Sequence, residues 1–174
     1  MFQIKPKQKW RLKQLALFIG CLWSALTLAL SSDSSQPCHV TADRITYERN
    51  QYKVIYEGHV TATQGTSKLT GDLIILWLDP KTGGLLRLED HGNLAEYTTI
   101  TDPHKPPLIA RARVIQYDFV KKTVLLLQDG FIQQGRDTFT GPHIWYDITN
   151  QHVVSTSVPG QGQTTIVIQP SEVK

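Results

Sequence analysis

The chain alternates short runs rich in β-branched and aromatic residues with turn residues. This alternation constrains its fold more than any other feature of the sequence. Between residues 38 and 170 no stretch of useful length has the apolar period of a packed helix. About sixteen β-like runs follow one another there at a spacing of roughly eight residues. The breaks between them carry Gly, Asp, Asn or Pro. This pattern predicts an all-β fold, built as a sandwich, barrel or roll.

The sequence also repeats itself at an offset of 70 residues, which relates residues 42–76 to residues 112–146. The matched pairs are Ala42/Ala112, Ile45/Ile115, Tyr47/Tyr117, Val54/Val124, Gly65/Gly135, Thr70/Thr140 and Gly71/Gly141. The repeat predicts two copies of one β unit in an elongated sheet. Gly65 and Gly135 are predicted to turn corners within that sheet, or else to be ordinary hairpin glycines.

The first 31 residues differ from the rest of the chain in charge and hydropathy. Residues 1–14 carry five basic and no acidic side chains, and residues 15–30 carry no charge. A basic segment, a short apolar core and small residues are typical of a secretory signal peptide. We therefore expect a signal peptide at 1–31, cleaved after Ser31, and a single domain at 32–174. The alternatives are an uncleaved anchor, although the core is shorter than the roughly 20 residues of a spanning helix, and a lipoprotein modified at Cys21.

Removal of this segment changes the sign of the net charge. The whole chain has 18 basic and 15 acidic residues, so residues 32–174 keep 13 basic and 15 acidic residues, a net charge of −2. No basic run remains, so a nucleic-acid ligand is not expected. Cys38 is then the one remaining cysteine, which excludes an internal disulfide.

No pattern of catalytic or metal-binding residues stands out. The six histidines show no metal-ligand spacing with each other or with Cys38. No nucleophile elbow or phosphate-binding loop occurs, and the carboxylates lie mostly at turns. The sequence therefore predicts a protein that is not an enzyme and that has no metal site and no cofactor.

Strand alternation places one or two apolar side chains of each run on one face. Polar residues such as His39 and Gln116 lie on the opposite face. The simplest interpretation of the apolar face is a thin core. If the rolled sheet does not close, the same face forms an open trough suited to hydrocarbon chains. The apolar face includes Cys38, Val40, Val54, Tyr56, Tyr97, Tyr117 and Phe119.

Several ordered stretches resemble the OstA-like family of lipopolysaccharide transport. The similar stretches are Gln36-Pro-Cys-His-Val, Ala42-Asp43, VIYEGHVTATQGTSKLTGD (54–72), LEDHGNLAEYT (88–98), ARARVIQYDF (110–119) and TSVPGQGQTTIVIQP (156–170). Together they span nearly all of residues 38–170. His59 departs from the family pattern, which usually has Asn at that position.

The resemblance implies an open, twisted antiparallel β-jellyroll of about sixteen short strands and a non-catalytic carrier in the periplasm. It implies that the acyl chains of lipopolysaccharide travel in the apolar interior. The groove residues implied by position are Cys38, Val40, Val54, Tyr56, Tyr97, Tyr117 and Phe119, and Cys38 replaces the usual aliphatic residue.

The resemblance also implies the partners. Copies of the chain stack head to tail by pairing of edge strands, and the same edges contact the inner-membrane component and the outer-membrane translocon of the transport system. We expect the docking edges at residues 38–42 and 164–169. One rival hypothesis is the membrane-anchored partner of the same system. The other is a periplasmic β-jellyroll scaffold or adhesin-like module, which binds no lipid and has a closed, dry core.

Overall fold

The computed structural model describes residues 33–157, 160 and 162–168, and ten strands in this part of the chain form one antiparallel sheet. The predicted signal peptide, its cleavage site and Cys21 lie outside the described residues. Two short 3-10 turns are present, Asp33–Ser35 and Arg49–Gln51. The strands are β1 Cys38–Thr41, β2 Arg44–Glu48, β3 Lys53–Gln64, β4 Ser67–Leu78, β5 Leu85–Thr99, β6 Leu108–Asp118, β7 Thr123–Gln134, β8 Asp137–Asp147, β9 His152–Thr156 and β10 Thr165–Val167.

The all-β, open antiparallel class predicted from the sequence is confirmed, but the count of sixteen strands is wrong. Each of the six longest strands contains two of the predicted runs, joined at an irregularity in the register. In β3, for example, the pairing with β4 slips between Glu57 and Val60. A β-bulge bends a strand without ending its ladder, so a break in the sequence pattern was mistaken for a strand end. No helix in the described ranges is long and apolar enough to cross a membrane.

The bulges of neighbouring strands lie side by side and form a line across the sheet, which we call the fold line. Buried residues from both sides of this line, such as Val60 and Leu126, pack in one core, so the sheet bends over on itself there. Gly58 in the β3 bulge has a φ of +77°, a conformation that favours glycine. The register slips at Glu57/Val60, Thr70/Leu73, His91/Ala95, Arg111/Val114 and Leu127/Gly130.

Gly65 and Gly135 do not lie on the fold line. They lie in the hairpin turns β3–β4 and β7–β8, with φ values of +55° and +62°. The hairpin interpretation is therefore correct for both glycines, and the corners of the sheet are made by the bulges instead.

The repeat seen in the sequence is also a repeat of strand pairing. Cys38 pairs with Gln64 as Leu108 pairs with Gln134, and Ile45 pairs with Tyr56 as Ile115 pairs with Leu126. Strands β1 and β2 together therefore correspond to β6, β3 corresponds to β7, and β4 corresponds to β8. In the same way β9 and β10 correspond to the two halves of β5: Ile166 pairs with Phe139 as Tyr97 pairs with Leu69.

A basic and an acidic side chain contact each other across the fold line in each repeat, and the two residue types exchange places between the repeats. His59 Nδ1 lies 2.7 Å from Asp43 Oδ2, and Arg113 Nε lies 2.8 Å from Asp129 Oδ2. Asp43 and Arg113 are 70 residues apart, and so are His59 and Asp129. The acidic residue of one pair therefore occupies the place of the basic residue of the other. His59 and Asp129 also share a positive φ, at 45° and 62°. The geometry of the bulge is therefore preserved while the charges are exchanged.

The sheet has two free edges. Its strand order is β1-β3-β4-β5-β6-β7-β8-β10, with β2 also paired to β3 and β9 also paired to β8. Strands β1 and β2 form the N-terminal edge, and β9 and β10 form the C-terminal edge. No pairing among the described strands joins these two edges, so the jellyroll is open.

Candidate functional site: an apolar trough from edge to edge

The inner face of the bent sheet encloses a cavity of about 320 Å³ that extends across the sheet. Val40 of β1 lines it at one edge, and Val153 of β9 and Ile166 of β10 line it at the other. The lining residues between them come from every strand from β3 to β8. We call this cavity the trough.

Five of the seven predicted groove residues line the trough: Val40, Tyr56, Tyr97, Tyr117 and Phe119. The rings of Tyr117 and Phe119 lie 4.3 Å apart. Cys38 and Val54 are partly buried and pack against the same apolar core without lining the cavity. The sheet therefore brings together on one face residues that are far apart in sequence.

The prediction missed most of the aliphatic lining, although the repeat contained the signal that finds it. Trough residues recur 70 positions apart because equivalent strands place equivalent faces inward. The recurring lining pairs are Val40/Ala110, Tyr56/Leu126, Ala62/Ile132, Leu69/Phe139, Ile74/Ile144 and Leu76/Tyr146.

The lining carries no charged side chain, and its tyrosines stay neutral. Burial raises the pKa of the Tyr56 phenol, and Cys38 beside it adds to the effect. Burial also raises the pKa values of Tyr97 and Tyr117. The Tyr97 hydroxyl lies 3.3 Å from Ser67 Oγ, beside the β3–β4 hairpin. The trough can therefore hold an apolar chain with no charge to desolvate.

A polar cluster lies at the β3–β4 hairpin, beside the Tyr97 hydroxyl. Thr66 donates a hydrogen bond of 2.6 Å to Asp33, which is itself buried. Ser67 lies within hydrogen-bonding distance of Asp33, Tyr97 and Thr99. The 3-10 turn before β1 is thereby tied to the hairpin, and the polar side chains satisfy one another where the apolar lining ends.

Asp90 places a carboxyl group on the otherwise apolar inner face of the sheet. It pairs across the sheet with Ile74 and Ile115, is 0% exposed, and neither of its carboxylate oxygens has a hydrogen-bond partner. Burial raises the pKa of Asp90 to about 8, and the neighbouring Asp72 adds to the effect. A protonated, neutral carboxyl therefore lies behind the apolar lining at neutral pH.

The described residues contain no group of three or more His, Cys, Asp or Glu side chains that could hold a metal ion. The lining of the trough consists of aliphatic and aromatic side chains, which can solvate an apolar ligand.

Comparison with known proteins agrees with this geometry. Residues 39–152 match the family described as LptA/(LptD N-terminal domain) LPS transport protein. The lipopolysaccharide export system protein LptH of Pseudomonas aeruginosa is 34% identical over 159 residues, which is 88% of this chain and 90% of that protein. The lipopolysaccharide export system protein LptA of Escherichia coli strain K12 is 26% identical over 146 residues, 84% of this chain and 78% of that protein.

The fold matches as well. The crystal structure of LptH, the LptA-homologous periplasmic component of the lipopolysaccharide transport device from Pseudomonas aeruginosa, superposes with a TM-score of 0.69 at 32% identity. The match covers 80% of this chain and 99% of that chain. From the family match, the identity to relatives over most of its length and the shared open sheet, the chain is a member of the LptA/(LptD N-terminal domain) family of LPS transport proteins.

Proposed function

We propose that the chain is a periplasmic carrier that binds lipopolysaccharide by its acyl chains in the trough and passes it from the inner to the outer membrane. The observation that supports this most is the uncharged trough, which runs from one free edge of the sheet to the other. Two relatives named as lipopolysaccharide export system proteins support the choice of ligand. Membership in a family of transport proteins confirms that the chain is not an enzyme.

The physical case rests on the cost of moving acyl chains through water. Each methylene exposed to water costs about 0.8 kcal/mol, so a lipid with several acyl chains cannot cross an aqueous space unaided. A trough that stays apolar along its length lowers this cost at every step. Transport then requires binding sites of similar affinity in series and no covalent chemistry.

The two free edges are the proposed docking surfaces. Unpaired edge strands are normally protected because they invite pairing with other chains, and pairing of this kind is a common mode of recognition. We propose that β1 and β10, within the predicted segments 38–42 and 164–169, dock copies of the chain head to tail. The same edges would dock the inner-membrane component and the outer-membrane translocon.

The cavity also distinguishes the proposal from the scaffold hypothesis. A scaffold or adhesin-like module that binds no lipid would gain nothing from an unfilled interior, because interiors are close-packed by default. The membrane-anchored partner of the same system would share the fold and differ in residues 1–31. We propose that these residues are a cleaved signal peptide, as their charge pattern indicates.

The first test is photo-crosslinking in living cells. A photoreactive residue at Tyr56 or Phe119, both on the trough lining, is expected to capture lipopolysaccharide. The same residue at Val120, the next position after Phe119 and 71% exposed, is the matched control and is expected to capture none. If the folded, exported protein gives no adduct at either lining site, the trough is only a core and the scaffold hypothesis replaces the carrier.

A further inference from the structure

The inner face of the sheet carries rows of side chains that pair across neighbouring strands, and Asp90 interrupts one of these rows. Tyr56 pairs with Ile74, Ile74 with Asp90, Asp90 with Ile115, and Ile115 with Leu126. The four apolar members of the row line the trough, whereas Asp90 lies behind the lining. A carboxyl group therefore stands in the same row as residues that a bound acyl chain would contact.

The carboxyl group of Asp90 lies over Gly71, at the fold line, in space that any larger residue at position 71 would occupy. In this place Asp90 is 0% exposed, and neither of its carboxylate oxygens has a hydrogen-bond partner. A buried carboxyl group without a partner is far more stable with its proton than without it. The state of this group therefore depends on how much water reaches it.

No basic side chain in the described part of the chain compensates this carboxyl group. Asp72 on β4 is the charged residue that acts on it, and the negative charge of Asp72 opposes its ionisation. The basic residues on the fold line, His59 of β3 and Arg113 of β6, are each paired with another acidic residue. On β5 itself, alternation places Glu89 and His91 on the opposite face, where their side chains lie 3.5 Å apart.

The environment of this carboxyl group changes when the trough is filled. The trough has a volume of about 320 Å³ and the jellyroll is open, so water enters it in the absence of a ligand. An acyl chain replaces that water with hydrocarbon, which makes a nearby negative charge more costly. Filling the trough therefore opposes ionisation, and by thermodynamic linkage ionisation opposes filling to the same extent.

We propose that Asp90 links the filling of the trough to a proton, so that lipid is held most tightly while this carboxyl group is protonated. This inference rests on the proposed carrier function and adds a control of the same site. The pKa of Asp90 is about 8 in the protein without ligand, and a filled trough raises it further. The affinity for an apolar ligand is therefore full below pH 8 and falls above it. A further rise of one in this pKa corresponds to a tenfold change in affinity.

The test measures the affinity of the protein, exported by cells that express the full chain, for the uncharged fluorescent probe N-phenyl-1-naphthylamine at pH 7 and pH 9.5. The dissociation constant of the wild type is expected to rise about tenfold between them. Asp90→Asn and Asp90→Ser have no ionisable group at position 90, so their values are expected to change less than about twofold. Burial keeps the tyrosines of the lining neutral at both pH values, and Cys38 is present in every variant.

Asp72→Asn distinguishes a proton link from a merely structural role of Asp90. Asp72 raises the pKa of Asp90, so the dissociation constant of this variant is expected to begin its rise at a lower pH than that of the wild type. Equal affinity of the wild type at both pH values overturns the link, and so does a rise in both Asp90 variants that equals the wild-type rise. Displacement of the probe by lipopolysaccharide at pH 7 tests the carrier function separately, because it does not depend on the ionisation of Asp90.

Discussion

At the scale of single residues, Asp90 is the group whose environment departs most from that of its residue type. A carboxylate without a partner in an apolar interior is costly, and the protein avoids that cost by keeping the group protonated. The second repeat has Ser155 at the corresponding place, opposite Ile144 as Asp90 is opposite Ile74. Ser155 donates to the carbonyl of His143 and is satisfied without a charge. Asp90 is therefore a feature of the first repeat alone.

We predict that Asp90→Asn makes the stability of the protein less sensitive to pH. The pKa of Asp90 is about 8 in the folded state against an ordinary value of 3.8, so the native protein loses stability as the pH rises from 4 to 8. The slope of this loss is about 1.4 kcal/mol per pH unit. The measurement is the free energy of unfolding by urea at pH 5, 6.5 and 8. The value for the variant minus the value for the wild type is expected to increase from pH 5 to pH 8.

The matched control for this variant is Asp72→Asn. Asp72 is exposed and acts on Asp90 only as a neighbouring charge, so its removal is expected to change the pH dependence much less. If the free energy of unfolding of Asp90→Asn differs from that of the wild type by the same amount at every pH, Asp90 is ionised in the folded protein.

At the scale of elements, the fold line decides the architecture, because it converts long strands into a bent sheet with one core. Strands of eleven to fifteen residues, such as β8 and β5, are long enough to cross both halves of that sheet. At some positions on the line neighbouring strands approach so closely that only a glycine fits. At Gly71 a Cβ atom would collide with the Asp90 carboxyl and lie 3.0 Å from the carbonyl oxygen of His91.

We predict that Gly71→Ala destabilises the protein by about 1–3 kcal/mol, the usual cost of overpacking a tightly packed site. The cost is expected to shrink when Asp90→Ala is introduced as well, because the colliding carboxyl is then absent. Urea unfolding of the two single variants and the double variant measures this coupling. Gly84→Ala, whose nearest contact would be Thr82 Oγ1 at 3.3 Å, is the control and is expected to have little effect.

At the scale of the whole molecule, the repeat builds the trough from two equivalent units. Each repeat contributes equivalent lining positions, and the pairing of β5 with β6 continues the lining from one repeat into the other. A chain built in this way can be extended at its edges without a change in the cross-section of its interior. This property is the one that a bridge between two membranes requires.

We predict that filling the trough blocks lipid capture without unfolding the sheet. Ala62 on β3 lines the cavity, and Ala62→Phe places a ring in it. Lipopolysaccharide adducts at a photoreactive residue in position 56 are expected to fall several-fold. Lys68→Phe, on the exposed face of β4, is the control and is expected to leave the adducts unchanged. Equal adduct yields for both variants would place the lipid outside the trough.

The β class is confirmed, and five of the seven predicted groove residues lie on the trough, because both expectations depend on alternation, which is a local property. That these residues bind lipid stays a prediction. In five of the six longest strands the bulge contains a glycine, and a glycine at a bulge and a glycine at a hairpin are alike in sequence, so the strand count was wrong. Gly58, which lies in a bulge, and Gly65, which lies in a turn, both have a positive φ. The difference between them is whether the ladder continues past the break, and that depends on the partner strand.

By itself, the sequence determines that the chain forms an antiparallel sheet with one apolar face, that the sheet contains two equivalent units, and that residues 1–31 differ from the rest. These properties follow from period, composition and repetition along the chain. Only the tertiary structure decides which equivalent residues are covered. Tyr47 and Tyr117 occupy the same place in the repeat, yet one is exposed at an edge and the other is buried in the middle of the sheet. The physical reason is that burial depends on the strands that lie alongside, and among the described strands β2 pairs with β3 on one side only.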